Sequence, residues 1–396
     1  MEIVKWLGLG LVALIGLTLA SNAALPSASP AVRTLDETQT ALLRETFHLR
    51  ASLGNAVWPG WGDVHIPLLV YNERYAFLTG YAADSPRSEG PPAGWTVVPW
   101  DRQAGGAWER IDDGDVATAP VYRLELPADG TTPQAFTVRV GDAWAASLPT
   151  HAWMRISFAR QLREQVPAPL SALLPYRPIV DAFVGGPKRH VFALLHEVFH
   201  AFQGMRTPKR LADAERVTRW ADQYPWEDPN QERIWDAEVN ALADALTADA
   251  DEAAVASVRE FLAHRAERRA AFAERSELIA YEQQREWLEG LAKYAELASW
   301  RTAANDPGYS IPSERREDLG FVSYAGFEGR WSSELSTLRY QAHSTSDSRW
   351  YYSGMAQAFL LDRLRPDWKR EILDEGVFLE DLLRAAVDGM AQAPPR

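Results

Sequence analysis

Residues 185–204 read GGPKRHVFALLHEVFHAFQG. Gly185 and Gly186 before Pro187 predict a helix start, because proline at the first helical position gives up an N–H that would have no partner there. Gly204 predicts its end. Val191, Leu194, Leu195, Val198 and Phe202 recur at helical spacing and form one apolar face. That leaves Phe192, His196, Phe199, His200 and Gln203 on the opposite side. Within the helix, His196-Glu197-Val198-Phe199-His200 has the H-E-x-x-H spacing. Positions i and i+4 lie one above the other, so both imidazoles can reach one ion while Glu197 stands beside an open coordination position as a general base.

Such an ion needs a third ligand. A glycine three residues and a histidine or aspartate six residues past His200 would supply it locally, but Gln203 and Arg206 stand there. The ligand is therefore expected from a separate downstream helix, where two glutamates compete. Glu238 lies in IWDAEVNALADAL, amid Asp236, Asn240 and Asp244. Glu289 lies in REWLEGLAKYAEL, flanked by Trp287, Leu288, Leu291 and Ala292, where a buried carboxylate requires a positive partner or a metal. Gly290 beside it costs about 1 kcal/mol in a helix and asks for a reason, such as close approach of another helix; the other account is a kink. Glu289 is favoured over Glu238.

At these residues the chain resembles the gluzincin-type zinc metallopeptidases. The resemblance rests on His196-Glu197-Val198-Phe199-His200-Ala201-Phe202-Gln203 and on Trp287-Leu288-Glu289-Gly290-Leu291-Ala292-Lys293-Tyr294, which is similar to that family's E-G-x-A-x-Y-like helix. It implies a thermolysin-like, zincin-like catalytic unit with Zn²⁺ held by His196, His200 and Glu289, and Glu197 as general base toward a peptide or protein substrate. One departure is the long separation of the two helices, with a helical stretch inserted over residues 209–276. Donors for a developing oxyanion are sought among Tyr351, Tyr352, His343 and Arg349, in AHSTSDSRWYYSG, with the two tyrosines preferred. Glu238 and Glu286 are the acceptors named for an imidazole N–H.

Working outward, Asp36 caps a first helix expected to reach Ala51, with Leu42, Leu43, Phe47 and Leu53 in phase. Short apolar runs broken by Gly, Pro and Asp then predict strands in HIPLLVYNERYAFL, WTVVPW, VYRLEL and AFTVRV. From Met154 onward helical periodicity dominates, and residues 251–304 contain Gly290 as the one potential breaker. The order predicts an α+β fold: a helix and β-rich unit over residues 36–150, then a mainly helical unit over 151–396. Trp58, Trp61, Trp95, Trp100 and Trp108 cluster in the β-rich part and read as core aromatics, with a sugar-stacking surface as the alternative.

Residues 6–20, WLGLGLVALIGLTLA, form an uncharged run ahead of Ser21-Asn22-Ala23. This reads as a signal peptide over residues 1–23, or as an uncleaved membrane anchor, and places the protein outside the cytoplasm. Residues 24–35 read as a linker, with the Ala-, Ser- and Pro-rich 26–34 as a flexible tether. Of 396 residues 41 are Lys or Arg and 54 Asp or Glu, a formal charge of -13 that argues against a nucleic-acid partner. With no cysteine, thiolate metal sites and cysteine nucleophiles are excluded, so any metal must sit on His and carboxylates. The competing expectation is a non-catalytic exported binding or scaffold protein on the same frame, which would have no need of Glu197.

Overall fold

The computed structural model describes residues 16–81, 90–116 and 119–392. Helix α1 (Glu37–Val57) opens on Asp36, whose carboxylate accepts the Gln39 N–H at 2.7 Å. It runs past Ala51 because Leu53 and Val57 continue its buried face and Gly54 lets the Gly62 backbone approach. Eight strands follow: β1 (Leu68–Tyr71), β2 (Tyr75–Thr79), β3 (Trp95–Val97), β4 (Arg102–Ala104), β5 (Glu109–Val116), β6 (Ala119–Glu125), β7 (Phe136–Val140) and β8 (Ala143–Pro149). They form one sheet in the order β4-β3-β7-β8-β1-β2-β6-β5. The β1–β8 pair is parallel, with Leu68 opposite Ala146, and the other pairs are antiparallel.

Strand alternation divides the apolar side chains between two faces. Leu68 and Val70 join the large core with the helices, whereas Leu69 and Tyr71 join a smaller cluster with Trp95, Leu124 and Val138. Trp58, Trp61 and Trp95 are fully buried, as core aromatics should be. Trp100, in contrast, is exposed.

The chain then becomes helical: α2 (His151–Gln165), α3 (Pro187–Arg206), α4 (Pro229–Thr247), α5 (Asp251–Ala270), α6 (Ser276–Arg285), α7 (Leu291–Asn305), α8 (Phe327–Tyr340), α9 (Ser348–Leu364) and α10 (Leu379–Gln392), joined by shorter helical turns. The fold is a mixed α+β one. The large core spans the boundary near residue 150, since α1, one sheet face and α3 share it.

Helix α3 starts at Pro187 as expected, yet it runs beyond Gly204 to Arg206. Gly204 is no cap: a Cβ there would collide with the Trp144 indole, so the glycine lets α3 lie close on β8. The opposite side of α3 is also buried. Phe192 stacks on Trp300 at 4.7 Å, and Trp58 meets Phe199 edge-on at 5.0 Å.

Residues 251–304 break at 271–275 with neither Gly nor Pro. Ion pairs close this hairpin instead, from Arg268 to Glu282 at 2.5 Å and Arg269 to Glu282 at 2.7 Å. Between α6 and α7 the backbone takes a π turn over Glu286–Gly290. A Cβ on Gly290 would collide with the Gly354 backbone, so the glycine serves close approach of α9.

Glu238 is not in a polar surface setting. It is fully buried on α4 between Arg265 and Arg268, each at 2.7 Å. Arg265 also grips Glu286 at 2.6 Å and Glu380 at 3.0 Å, so the inserted helices are fastened to the back of the π turn and to α10.

Residues 1–15 lie outside the described residues, and with them most of the run read as a signal or anchor; residues 16–23 are helical. Among the described residues no helix is long and apolar enough to cross a membrane. The stretch expected to be a free tether is pinned to the sheet. Ser29 is buried on the Glu73 carboxylate, at 2.8 Å through its N–H, and Asn72 Nδ2 donates to Val32 O at 2.8 Å.

Candidate metal centre

Helix α3 and the π turn lie side by side, and three donors converge between them. His196 Nε2 and His200 Nε2 are 3.1 Å apart, and Glu289 Oε2 lies 3.4 Å from the first and 3.2 Å from the second. All three residues are buried, and the group could hold a metal ion. Tetrahedral zinc with bonds of about 2.0–2.1 Å sets neighbouring donors roughly 3.3–3.4 Å apart, so an ion fits these edges with little movement. Glu238, the competing ligand, is absent from the cluster, its carboxylate spent on Arg265 and Arg268.

The imidazoles are oriented from behind. Gln203 Nε2 donates to Trp287 O at 2.9 Å and to Leu288 O at 3.3 Å, so its Oε1 faces His200 Nδ1 at 3.0 Å. An amide oxygen can only accept, which places the proton on His200 Nδ1 and leaves the Nε2 lone pair for the cluster. His196 Nδ1 is served by Glu296 at 3.6 Å. Neither Glu238 nor Glu286, the two acceptors named from the sequence, reaches an imidazole. Glu286 is instead turned toward Arg265 and Ser353.

Glu289 is not an unpaired carboxylate awaiting a metal. Its Oε1 accepts from Arg285 Nη2 at 2.9 Å, and the same nitrogen donates to Asp347 at 2.9 Å. Burial opposes the charge on Glu289, but Arg285 and His200 outweigh it and hold the carboxyl well below its ordinary range. Burial likewise opposes charging His196, yet hydrogen bonds to Glu289 and Glu296 raise it to about 10.

Glu197 faces the same space and is 9% exposed. Burial, reinforced by the Glu289 and Glu296 carboxylates, pushes it up to about 8. Tyr71, on β1, feels the Glu197 charge, and Phe136, on β7, packs against His200 at 4.8 Å, so the sheet closes one side of the site.

Of the oxyanion candidates, Tyr351 stacks parallel on His196 at 6.0 Å, and burial together with the Glu289 charge raises its hydroxyl well above the ordinary range. Tyr352 lies farther along α9 under the Lys293 ammonium, 5.7 Å from its ring centroid. Two candidates are displaced. His343 pairs with Glu232 at 2.7 Å on the surface, and Arg349 is buried with its guanidinium on Gln341 O and Ala342 O.

Gln203, Arg285 and Glu296 were not anticipated as site residues. Each is in phase with a ligand, three residues after His200, four before Glu289 and seven after it, and helical phase was the signal that could have found them. No family model, curated protein or solved structure matches the chain.

Proposed function

We propose that this protein is an exported zinc-dependent hydrolase that cleaves peptide bonds, with His196, His200 and Glu289 as metal ligands and Glu197 as general base, on a zincin-like catalytic unit. The observation that carries this reading is the convergence of two neutral-capable imidazole nitrogens and one carboxylate oxygen at 3.1–3.4 Å beside the buried Glu197. Two nitrogens and one oxygen with a free fourth position suit zinc among the common divalent ions. When bound, Zn²⁺ supplies Lewis acidity toward the scissile carbonyl and toward water.

The chain's own residues do the rest. Glu197, buried beside the proposed ligands, removes the proton from the attacking water and passes it to the leaving amine. Gln203 and Glu296 hold the imidazoles in position, and Arg285 keeps Glu289 ionised. Tyr351, against His196 and Glu289, is the hydroxyl placed to donate to a developing oxyanion.

Elemental analysis of protein isolated without chelator, with turnover of a mixed peptide pool, tests the proposal. About one zinc per chain is expected. His196→Ala and His200→Ala should lose the metal, while Glu197→Gln should retain it and lose turnover. Protein without transition metal that takes up no added zinc would overturn the reading.

A further inference from the structure

A cavity of about 510 Å³ lies along α3 and α7, beside the residues that carry the proposed ligands. Three residues of its wall fix that adjacency. Ala193 is one turn before His196 on α3, Lys293 is one turn after Glu289, and Glu296 reaches His196 Nδ1. The mouth is apolar: Phe183, 70% exposed, packs on Phe158 at 5.7 Å. The interior is charged, and its charges do not balance.

Lys293 Nζ lies 3.1 Å from Glu296 and 3.2 Å from Glu334. The Arg330 guanidinium pairs with Glu334 and lies 3.7 Å from Glu296. Arg189 is the third cation, facing the two carboxylates that already serve the other two. Its Nη1 donates to Ala182 O at 2.8 Å, and among the described residues it forms no ion pair. A half-buried guanidinium gains most from a carboxylate it can meet as a fork.

We propose that this cavity is a substrate subsite for a carboxylate and that Arg189 is the residue that binds it, so that the preferred substrates are acidic peptides. This deepens the metallopeptidase reading and rests on it for the word substrate. The carboxylate belongs to an Asp or Glu side chain beside the scissile bond, or to a free C-terminus there. In either case the ionic contact is made by a residue two helical turns before His196 on α3. The apolar mouth covers the substrate's aliphatic stem and excludes water from the pair.

Two readouts on the zinc-loaded protein test this. The first is kcat/KM on quenched peptides that differ by Glu against Gln at each position, and by a free against an amidated C-terminus. The second is calorimetric binding of the same peptides to the Glu197→Gln protein. Glu should exceed Gln by about ten- to a hundredfold at one position, or the free terminus should exceed the amide by as much, the range of a charge-assisted hydrogen bond. Which pair responds identifies the source of the carboxylate. Arg189→Gln should erase the preference, Arg189→Lys should keep part of it, and circular dichroism checks that each variant is folded. Turnover with no preference, or with a preference unchanged in Arg189→Gln, overturns the subsite and leaves the hydrolase standing. Arg189-dependent binding without turnover supports the subsite and overturns the hydrolase. Neither binding nor turnover overturns both.

Discussion

Gln203 and His200 are joined at 3.0 Å through Oε1 and Nδ1, and the amide's other end is locked on the carbonyls of Trp287 and Leu288. One side chain on α3 thereby reads the position of the π turn and sets the tautomer of a proposed ligand. Gln203→Leu removes both functions at nearly constant volume. Zinc affinity should fall about 10–100-fold, the usual effect of losing a partner behind a metal ligand. Competitive titration against a zinc-binding dye measures it. An unchanged affinity would mean that packing alone orients His200.

The two glutamates weighed as third ligand should now separate by kind of failure. Glu289→Ala should abolish tight zinc binding while the fold persists, because Arg285 retains Asp347 at 2.9 Å and Glu215 at 3.0 Å. Glu238→Ala leaves Arg265 on Glu286 and Glu380 and Arg268 on Glu282, but it removes the fully buried carboxylate that the two guanidiniums share, a loss of charged hydrogen bonds that costs on the order of 3 kcal/mol. Its zinc affinity per folded molecule should be normal. Urea denaturation and metal titration on both variants check this, and loss of zinc with normal stability in Glu238→Ala would reverse the assignment.

The legible parts of the chain were those whose signal is local. Gly186-Pro187 set the start of α3, and the phase of His196, Glu197 and His200 followed from helical geometry. Gly290 announced a close approach because an unexplained glycine in a helix is costly. Glu238 misled for the opposite reason: its partners Arg265 and Arg268 lie 27 and 30 residues downstream and reach it only after the α4–α5 hairpin closes. The break between α5 and α6 was hidden likewise, since long-range ion pairs close it without Gly or Pro. Strand β8, AWAASLP, escaped notice because its small residues favour a strand only once β1 and β7 flank it.

Gly290 and Gly354 form the contact that brings α9, with Tyr351 and Tyr352, against the site. Gly354→Ala places a methyl against the backbone of Glu286 and Gly290, so the helices must separate. Overpacking of this kind costs about 1–3 kcal/mol. The displacement acts on Tyr351, so turnover should fall more than zinc affinity does. Equal turnover per bound zinc in Gly354→Ala would show that the position of α9 is immaterial to the reaction.

The ion-pair network behind the π turn predicts the acid limit of the fold. Burial opposes the charge on Glu380, but Arg269 at 2.7 Å and Arg265 at 3.0 Å outweigh it and lower the carboxyl to about 2. A carboxyl whose folded value lies below its unfolded one stabilises the fold above the unfolded value, and the contribution disappears as pH falls through the folded one. The window therefore runs from about 4.5, where an unfolded glutamate titrates, down to about 2. Across it the native state should lose on the order of 3 kcal/mol from this group. Glu282, buried on Arg268 and Arg269 with its carboxyl lowered in the same direction, adds to the loss. Glu380→Gln should be less stable than the parent at pH 7, and the gap should close as pH drops through that window. Urea midpoints at a series of pH values provide the measurement. A gap that stays constant down to pH 2 would mean that Glu380 contributes packing and hydrogen bonding but no charge.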